Sequence, residues 1–113
     1  IKYDDYLKLL SASKIILNIH RDELADVANI RCFEVTGLKK CLLTNHNPKI
    51  SSFFNNSDIM SFKSITDCVN KINYLLENSK KRFEIANNGY RQTLNNHLVT
   101  HRVKKFCETL RSL

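Results

Sequence analysis

The sequence predicts an α/β fold, with a small parallel sheet of about three strands followed by a helical tail. Two observations lead to this prediction. Short apolar runs rich in β-branched residues or leucine, at 15–19 and 41–44, alternate with segments in which apolar residues recur at helical spacing. From residue 64 onward, the apolar residues keep helical spacing only. Alternating helices and strands indicate parallel strands joined by crossover helices.

Each element of the first half has a local signal. A first helix is predicted by apolar residues at helical spacing, namely Tyr3, Tyr6, Leu7 and Leu10. The run at 15–19 is typical of a strand buried on both faces. A short helix over 30–36 follows, with Gly37 well placed as its C-cap, and 41–44 is a second buried strand.

The second half is predicted to be helical after one more strand. Residues 59–62 form the third strand, whereas 50–56 are ambiguous. Ser64 caps the next helix, with Asp67 at the reciprocal position of a capping box. The apolar stripe of that helix is Cys68, Val69, Ile72, Leu75 and Leu76. Two later helices have their own stripes: Phe83, Ala86, Tyr90 and Leu94, then Val103, Phe106, Cys107, Leu110 and Leu113.

Length and composition indicate one small globular domain or a fragment of a larger one. The chain has 113 residues, and we expect residues 1–62 to form the core and 63–113 a helical tail packed on it. Two glycines and one proline exclude a collagen-like or low-complexity chain. The sequence has no apolar run long enough for a membrane span and no signal-peptide layout. Because the first residue is Ile1 and not Met, we expect a segment excised from a longer parent.

The net charge of +7 suggests an anionic partner, either a nucleic acid, an anionic membrane surface or a phosphorylated small molecule. The alternative is a solvated basic surface. The basic residues are scattered, and the densest cluster, at 80–82, is short. No aromatic residues alternate with arginines as in an RNA-binding sheet.

The cysteines and histidines do not predict a metal site. Cys32, Cys41, Cys68 and Cys107 form no CxxC pair. We interpret them as reduced thiols, as in a cytoplasmic protein. His97 and His101 have the i, i+4 spacing of zinc ligands on a helix, but no third ligand accompanies them. Neither a metal nor another cofactor is therefore expected.

Several ordered motifs resemble one family. They are LNIH at 17–20, NIRCFEVTG at 29–37, LLT at 42–44, NYLL at 73–76, IANNGY at 85–90, and His97 with HRV at 101–103. Together they are similar to the CgeB-like glycosyltransferases, the spore maturation protein B type. The resemblance runs nearly end to end. It implies the C-terminal portion of a GT-B Rossmann-like domain, which binds a nucleotide-diphosphate sugar, without the N-terminal domain and first strands of the parent chain.

The resemblance also implies where the donor binds. A helix that begins after a strand and a loop presents free N–H groups to a diphosphate. Arg31, at the start of that helix, can add a charge-assisted contact to a phosphate. The resemblance implies that Glu34 accepts hydrogen bonds from the ribose hydroxyls. Asn18, His20 and Asn29 are further candidates for donor contacts. The alternatives are a surface acid for Glu34 and loop-capping roles for Asn18 and His20.

The implied reaction is metal-independent transfer of a sugar from its nucleotide diphosphate to an unknown acceptor hydroxyl. No catalytic residue is identified, and Asp26 is a weak candidate for a contact to the sugar. We expect the segment alone to bind donor without turnover, because a base would lie in the missing N-terminal part. An exposed sheet edge can pair two copies. Two alternatives stay open: a non-enzymatic α/β interaction scaffold and a basic nucleic-acid-binding module.

Overall fold

A computed structural model describes residues 2–19 and 30–96, together with residues 108 and 111. The last predicted helix, over 103–113, therefore lies almost wholly outside the described residues. Within the described ranges the order of elements is α1 (Tyr3–Ala12), β1 (Ile15–Asn18), α2 (Ile30–Gly37), β2 (Cys41–Asn45), a 3-10 helix (Pro48–Ser52), β3 (Met60–Phe62), α3 (Ile65–Glu77) and α4 (Ser79–Asn96).

The three strands form one parallel sheet in the order β1-β2-β3. Ile15 lies opposite Cys41, and Leu43 lies opposite Met60. Each face of the sheet has its own apolar cluster. On one face, α1, α2 and the 3-10 helix pack on β1 and β2 through Leu10, Ile16, Cys32, Val35, Leu42, Ile50, Phe54 and Ile59. On the other, α3 and α4 cover Cys41 through Leu75 and Ile85. The predicted α/β fold with a small parallel sheet is confirmed.

Helix α4 contacts both layers at the end of the sheet where the strands begin. Ile85 packs beside Cys41, the first residue of β2. Further along α4, the hydroxyl groups of Thr93 and Thr36 are hydrogen-bonded at 2.5 Å. Between these contacts lies Gly89, where a Cβ would meet the Asp58 carbonyl oxygen at 2.6 Å and Thr36 Cγ2 at 3.1 Å. This close packing requires glycine.

Helix α2 ends in a Schellman motif whose left-handed residue is Lys39, not the expected glycine. Lys39 has a φ of 63°. Its backbone N–H donates to the Thr36 carbonyl at 3.0 Å, and that of Lys40 donates to the Val35 carbonyl at 3.2 Å. The prediction that Gly37 is the C-cap was therefore wrong by two residues, because Gly37 is the last helical residue.

Both ends of α3 are fixed by polar contacts. Ser64 Oγ accepts a hydrogen bond from the Asp67 backbone N–H at 3.0 Å, which confirms the predicted cap of α3. The reciprocal bond of the predicted capping box differs, because the Asp67 carboxylate accepts from the backbone N–H of Lys63 and not from that of Ser64. At the other end, buried Arg82 donates from Nη1 to the Leu75 carbonyl at 2.8 Å. A cation therefore lies at the negative end of the α3 dipole.

Three predicted burial patterns were wrong in part. Strand β1 was expected to be buried on both faces, but Leu17 is 46% exposed. Of the predicted α4 stripe, Ala86 is buried as expected, but Phe83 is 62% exposed and Leu94 is also exposed; the other buried residues of α4 are Arg82, Ile85, Gly89 and Thr93. The close approach at Gly89 turns the face of α4 that carries Gly89 and Thr93 toward Thr36. Of the predicted α3 stripe, Cys68 and Leu75 are buried, whereas Val69 and Leu76 are exposed.

The three described cysteines, Cys32, Cys41 and Cys68, are free and buried, as predicted. Burial raises the pKa of the Cys41 thiol to about 11, although nearby Arg82 lowers it in part. No helix within the described ranges is both long and apolar enough to cross a membrane.

We expect Gly89→Ala to lower the free energy of unfolding by about 2 kcal/mol, because the new methyl group would press on the Asp58 carbonyl. Gly37→Ala is the matched control. Its Cβ would lie 4.0 Å from Thr93 Cγ2, and the gain in helix propensity should stabilise the fold by about 0.5 kcal/mol. Urea denaturation of both variants measures the difference, and equal effects would contradict the close-packing explanation.

Candidate functional site

The candidate site lies at the carboxyl end of the sheet. Because β1, β2 and β3 are parallel, their last residues, Asn18, Asn45 and Phe62, lie together at one end of the sheet, called here its carboxyl edge. Helices α2 and α3 both begin at this edge, so their N-terminal N–H groups and positive dipole ends lie beside it. In open α/β sheets, ligands bind outside the carboxyl ends of the strands.

Asn18 holds three elements together at this edge. Its side-chain Nδ2 donates to Thr44 Oγ1 at 3.2 Å and contacts Cys32 Sγ at 3.6 Å. These partners belong to β2 and α2, so one amide fixes the first turns of α2 against the strand ends. Asn18 is only 1% exposed. Asn18, which was predicted to contact the sugar donor, therefore lies beneath the surface of the site.

Glu34 lies half-buried on α2, one turn after the helix begins. Its Oε2 accepts a hydrogen bond from the Tyr3 hydroxyl at 2.6 Å. This bond, together with burial and the negative charge of Glu34, raises the pKa of the Tyr3 hydroxyl. Tyr3 is therefore protonated at neutral pH and donates to Glu34.

Arg31 is exposed on the first turn of α2, three positions before Glu34 on the same helix. An anion at the start of α2 would therefore lie within reach of both the helix N–H groups and a guanidinium group. His20, Asp26 and Asn29 lie outside the described residues, as do His97 and His101. No group of three or more metal-ligating side chains occurs in the part of the chain that the structure describes.

A recess of about 310 Å³ lies between the ends of β2 and β3 and the start of α3. It is lined by Asn45, His46, Phe62, Lys63, Ser64 and Ile65. His46 and Lys63 were not among the residues predicted for the site. Their positions directly after two parallel strands are the signal that could have identified them.

The outer edge of β3, beside this recess, is covered by a lysine. Lys71 Nζ donates to the Ser61 carbonyl at 2.5 Å and pairs with Asp67 Oδ2 at 3.2 Å. The pKa of Asp67 is lowered, first by the Lys63 backbone N–H and then by Lys71. A charged side chain that occupies a carbonyl on an edge strand hinders pairing with a further strand.

Comparison with known proteins identifies one family. The family model described as "Glycosyl transferase-like" matches residues 1–108, which is nearly the whole chain. The match includes α2 with Arg31 and Glu34 and the carboxyl edge of the sheet. Neither the curated proteins nor the solved structures contain a significant match.

We expect Asn18→Leu to lower the free energy of unfolding by about 2 kcal/mol, because it leaves the buried Thr44 hydroxyl without this hydrogen-bond donor. Asn73→Leu, on the exposed face of α3, is the control and should change stability by less than about 0.5 kcal/mol. Thermal or urea unfolding compares the two, and a neutral Asn18→Leu would show that the amide does not hold the edge together.

Proposed function

The chain belongs to the glycosyl transferase-like family, and we propose that it is the donor-binding part of a CgeB-like enzyme that transfers a sugar from a nucleotide-diphosphate sugar to an acceptor hydroxyl. The observation that carries this proposal is the Glu34 carboxylate, held by Tyr3 beside the exposed Arg31 at the start of α2. Carboxylates accept hydrogen bonds from a ribose diol, and an arginine at a helix N-terminus favours phosphate.

In this proposal, Arg31 and the first N–H groups of α2 bind the diphosphate, and Glu34 binds the ribose. Charge builds up on the diphosphate as the sugar leaves. Arg31 and the helix dipole would therefore stabilise the transition state more than the bound donor. Asn18 acts beneath the surface by holding α2 against the strand ends. His20 and Asn29 remain proposed donor contacts.

We further propose that additional strands of the same sheet join at the free edge of β1. Within the described residues, β1 has a strand neighbour only in β2. Helices α1 and α2 pack on the same face of the sheet. Because crossovers between parallel strands are right-handed, a strand that led into α1 would lie on the side of β1 opposite β2.

The surface beside β1 is suited to such a strand. Leu17 is half-exposed on β1, and one flank of α3 presents Ile65, Val69 and Leu76 to solvent. The opposite flank of α3 carries Lys71, which contacts Ser61 of β3. The apolar flank of α3 therefore lies on the side away from the β3 edge, where strands added beyond β1 would cover it. We also propose that the parent chain has an N-terminal domain that binds the acceptor and that the protein is cytoplasmic.

Titration with UDP, GDP and their sugars, followed by amide chemical shifts, tests donor binding by the 113-residue chain. We expect shifts centred on residues 30–37. Glu34→Ala should weaken binding about tenfold, since a charge-assisted hydrogen bond contributes about 1.5–3 kcal/mol. Glu77→Ala removes an exposed acid from the last turn of α3 and is the control. A folded sample without shifts would overturn independent donor binding.

The same titration distinguishes the phosphate contact from general charge attraction. Arg31→Gln should weaken UDP binding about tenfold, whereas Arg91→Gln, which removes an exposed arginine from α4, should not. A nucleic-acid-binding module would instead bind DNA or RNA with steep salt dependence, and nucleotides would compete poorly. Equal losses in both arginine variants would favour that alternative.

We expect the 113-residue chain to self-associate through the β1 edge, measured by sedimentation at several concentrations. Leu17→Lys should weaken the association, because its charge would be buried in the interface. Leu94→Lys, on an exposed part of α4, is the control. A concentration-independent monomer would show that the free edge does not pair two copies.

A further inference from the structure

The first turn of α1 presents two tyrosine rings beside the Glu34 carboxylate. The ring centroids of Tyr3 and Tyr6 lie 6.0 Å apart, with 33° between the ring planes. Tyr6 is half-buried and packs against the apolar cluster that includes Cys32 of α2. Tyr3 is 60% exposed. The pair is therefore anchored on one side by the core and open to solvent on the other.

The hydroxyl of Tyr3 fixes the position of its ring relative to Glu34. The O–H donates to Glu34 Oε2 at 2.6 Å. The aromatic ring that carries this hydroxyl therefore lies next to the carboxylate. A nucleoside has a matching layout, because its base is joined to the same sugar ring that carries the two vicinal hydroxyls. A ribose bound at Glu34 would bring its base into the neighbourhood of the exposed Tyr3 ring.

We propose that Tyr3, supported by Tyr6, is the surface on which the nucleobase of the donor stacks. This inference rests on the proposed function, in which Glu34 binds the ribose. Stacking on an aromatic ring is available to every base, since each base has a π face. The tyrosine pair would thus distinguish nucleotides from sugar phosphates and would add little preference for one base.

The test compares two ligands that differ only in the base: UDP and ribose 5-diphosphate. Tyr3→Leu removes the ring and should weaken UDP binding about tenfold, while leaving the affinity for ribose 5-diphosphate nearly unchanged. Tyr3→Phe keeps the ring but loses the bond to Glu34, so it should retain the preference for UDP. Phe83→Leu removes an equally exposed ring from α4 and is the control. Upfield shifts of the Tyr3 ring protons with UDP report stacking directly.

The outcomes separate this inference from the proposed function. If Glu34→Ala weakens UDP binding and Tyr3→Leu does not, donor binding stands and the stacking inference is overturned. If Tyr3→Leu weakens both ligands equally, Tyr3 acts only through Glu34, and stacking is again overturned. If neither ligand binds the folded chain, the proposed function fails and the stacking inference fails with it.

Discussion

The architecture depends on the approach of α4 to the end of the sheet where the strands begin. Only glycine at position 89 lets the helix come this close to the Asp58 carbonyl and to Thr36. From there α4 packs against both layers, through Ile85 on one side and Thr93 on the other. With the amino end of the sheet closed, the strand and helix ends at the carboxyl edge remain accessible. The position of the candidate site is thus a consequence of helix packing at the other end.

Most of the secondary structure could be predicted because its signals are local. A few neighbouring residues are enough to predict the strands at 15–19 and 41–44 and the helix cap at Ser64. The C-terminus of α2 did not, because Lys39 takes the left-handed conformation that Gly37 was expected to supply. The buried face of α4 also differs from the one that the apolar spacing predicted. Helical spacing favours large apolar residues such as Phe83, whereas the tight crossing requires glycine at position 89, where Asp58 and Thr36 approach from distant segments.

The candidate site shows the same division between local and distant information. Arg31 and Glu34 belong to one motif on one helix, so the sequence predicts them together as candidate site residues. The partner of Glu34 is Tyr3, which lies 31 positions earlier and has no local signal that connects the two. Asn18 was identified by its place at a strand end, but its burial became visible only when β2 and α2 supplied Thr44 and Cys32. Contacts between residues far apart in the sequence therefore decide which polar side chain faces the site and which is buried beneath it.

The two edges of the sheet differ in a way that limits how copies can assemble. Lys71 donates to the outward carbonyl of Ser61 on β3, whereas within the described residues β1 has a strand neighbour on one side only, in β2. A head-to-tail arrangement would need one edge of each kind to be open, and it could then continue into a fibre. Here a two-fold pair through β1 would join both open edges and leave only covered ones outside. If two copies pair through β1 as proposed, assembly through this sheet would therefore terminate at two molecules.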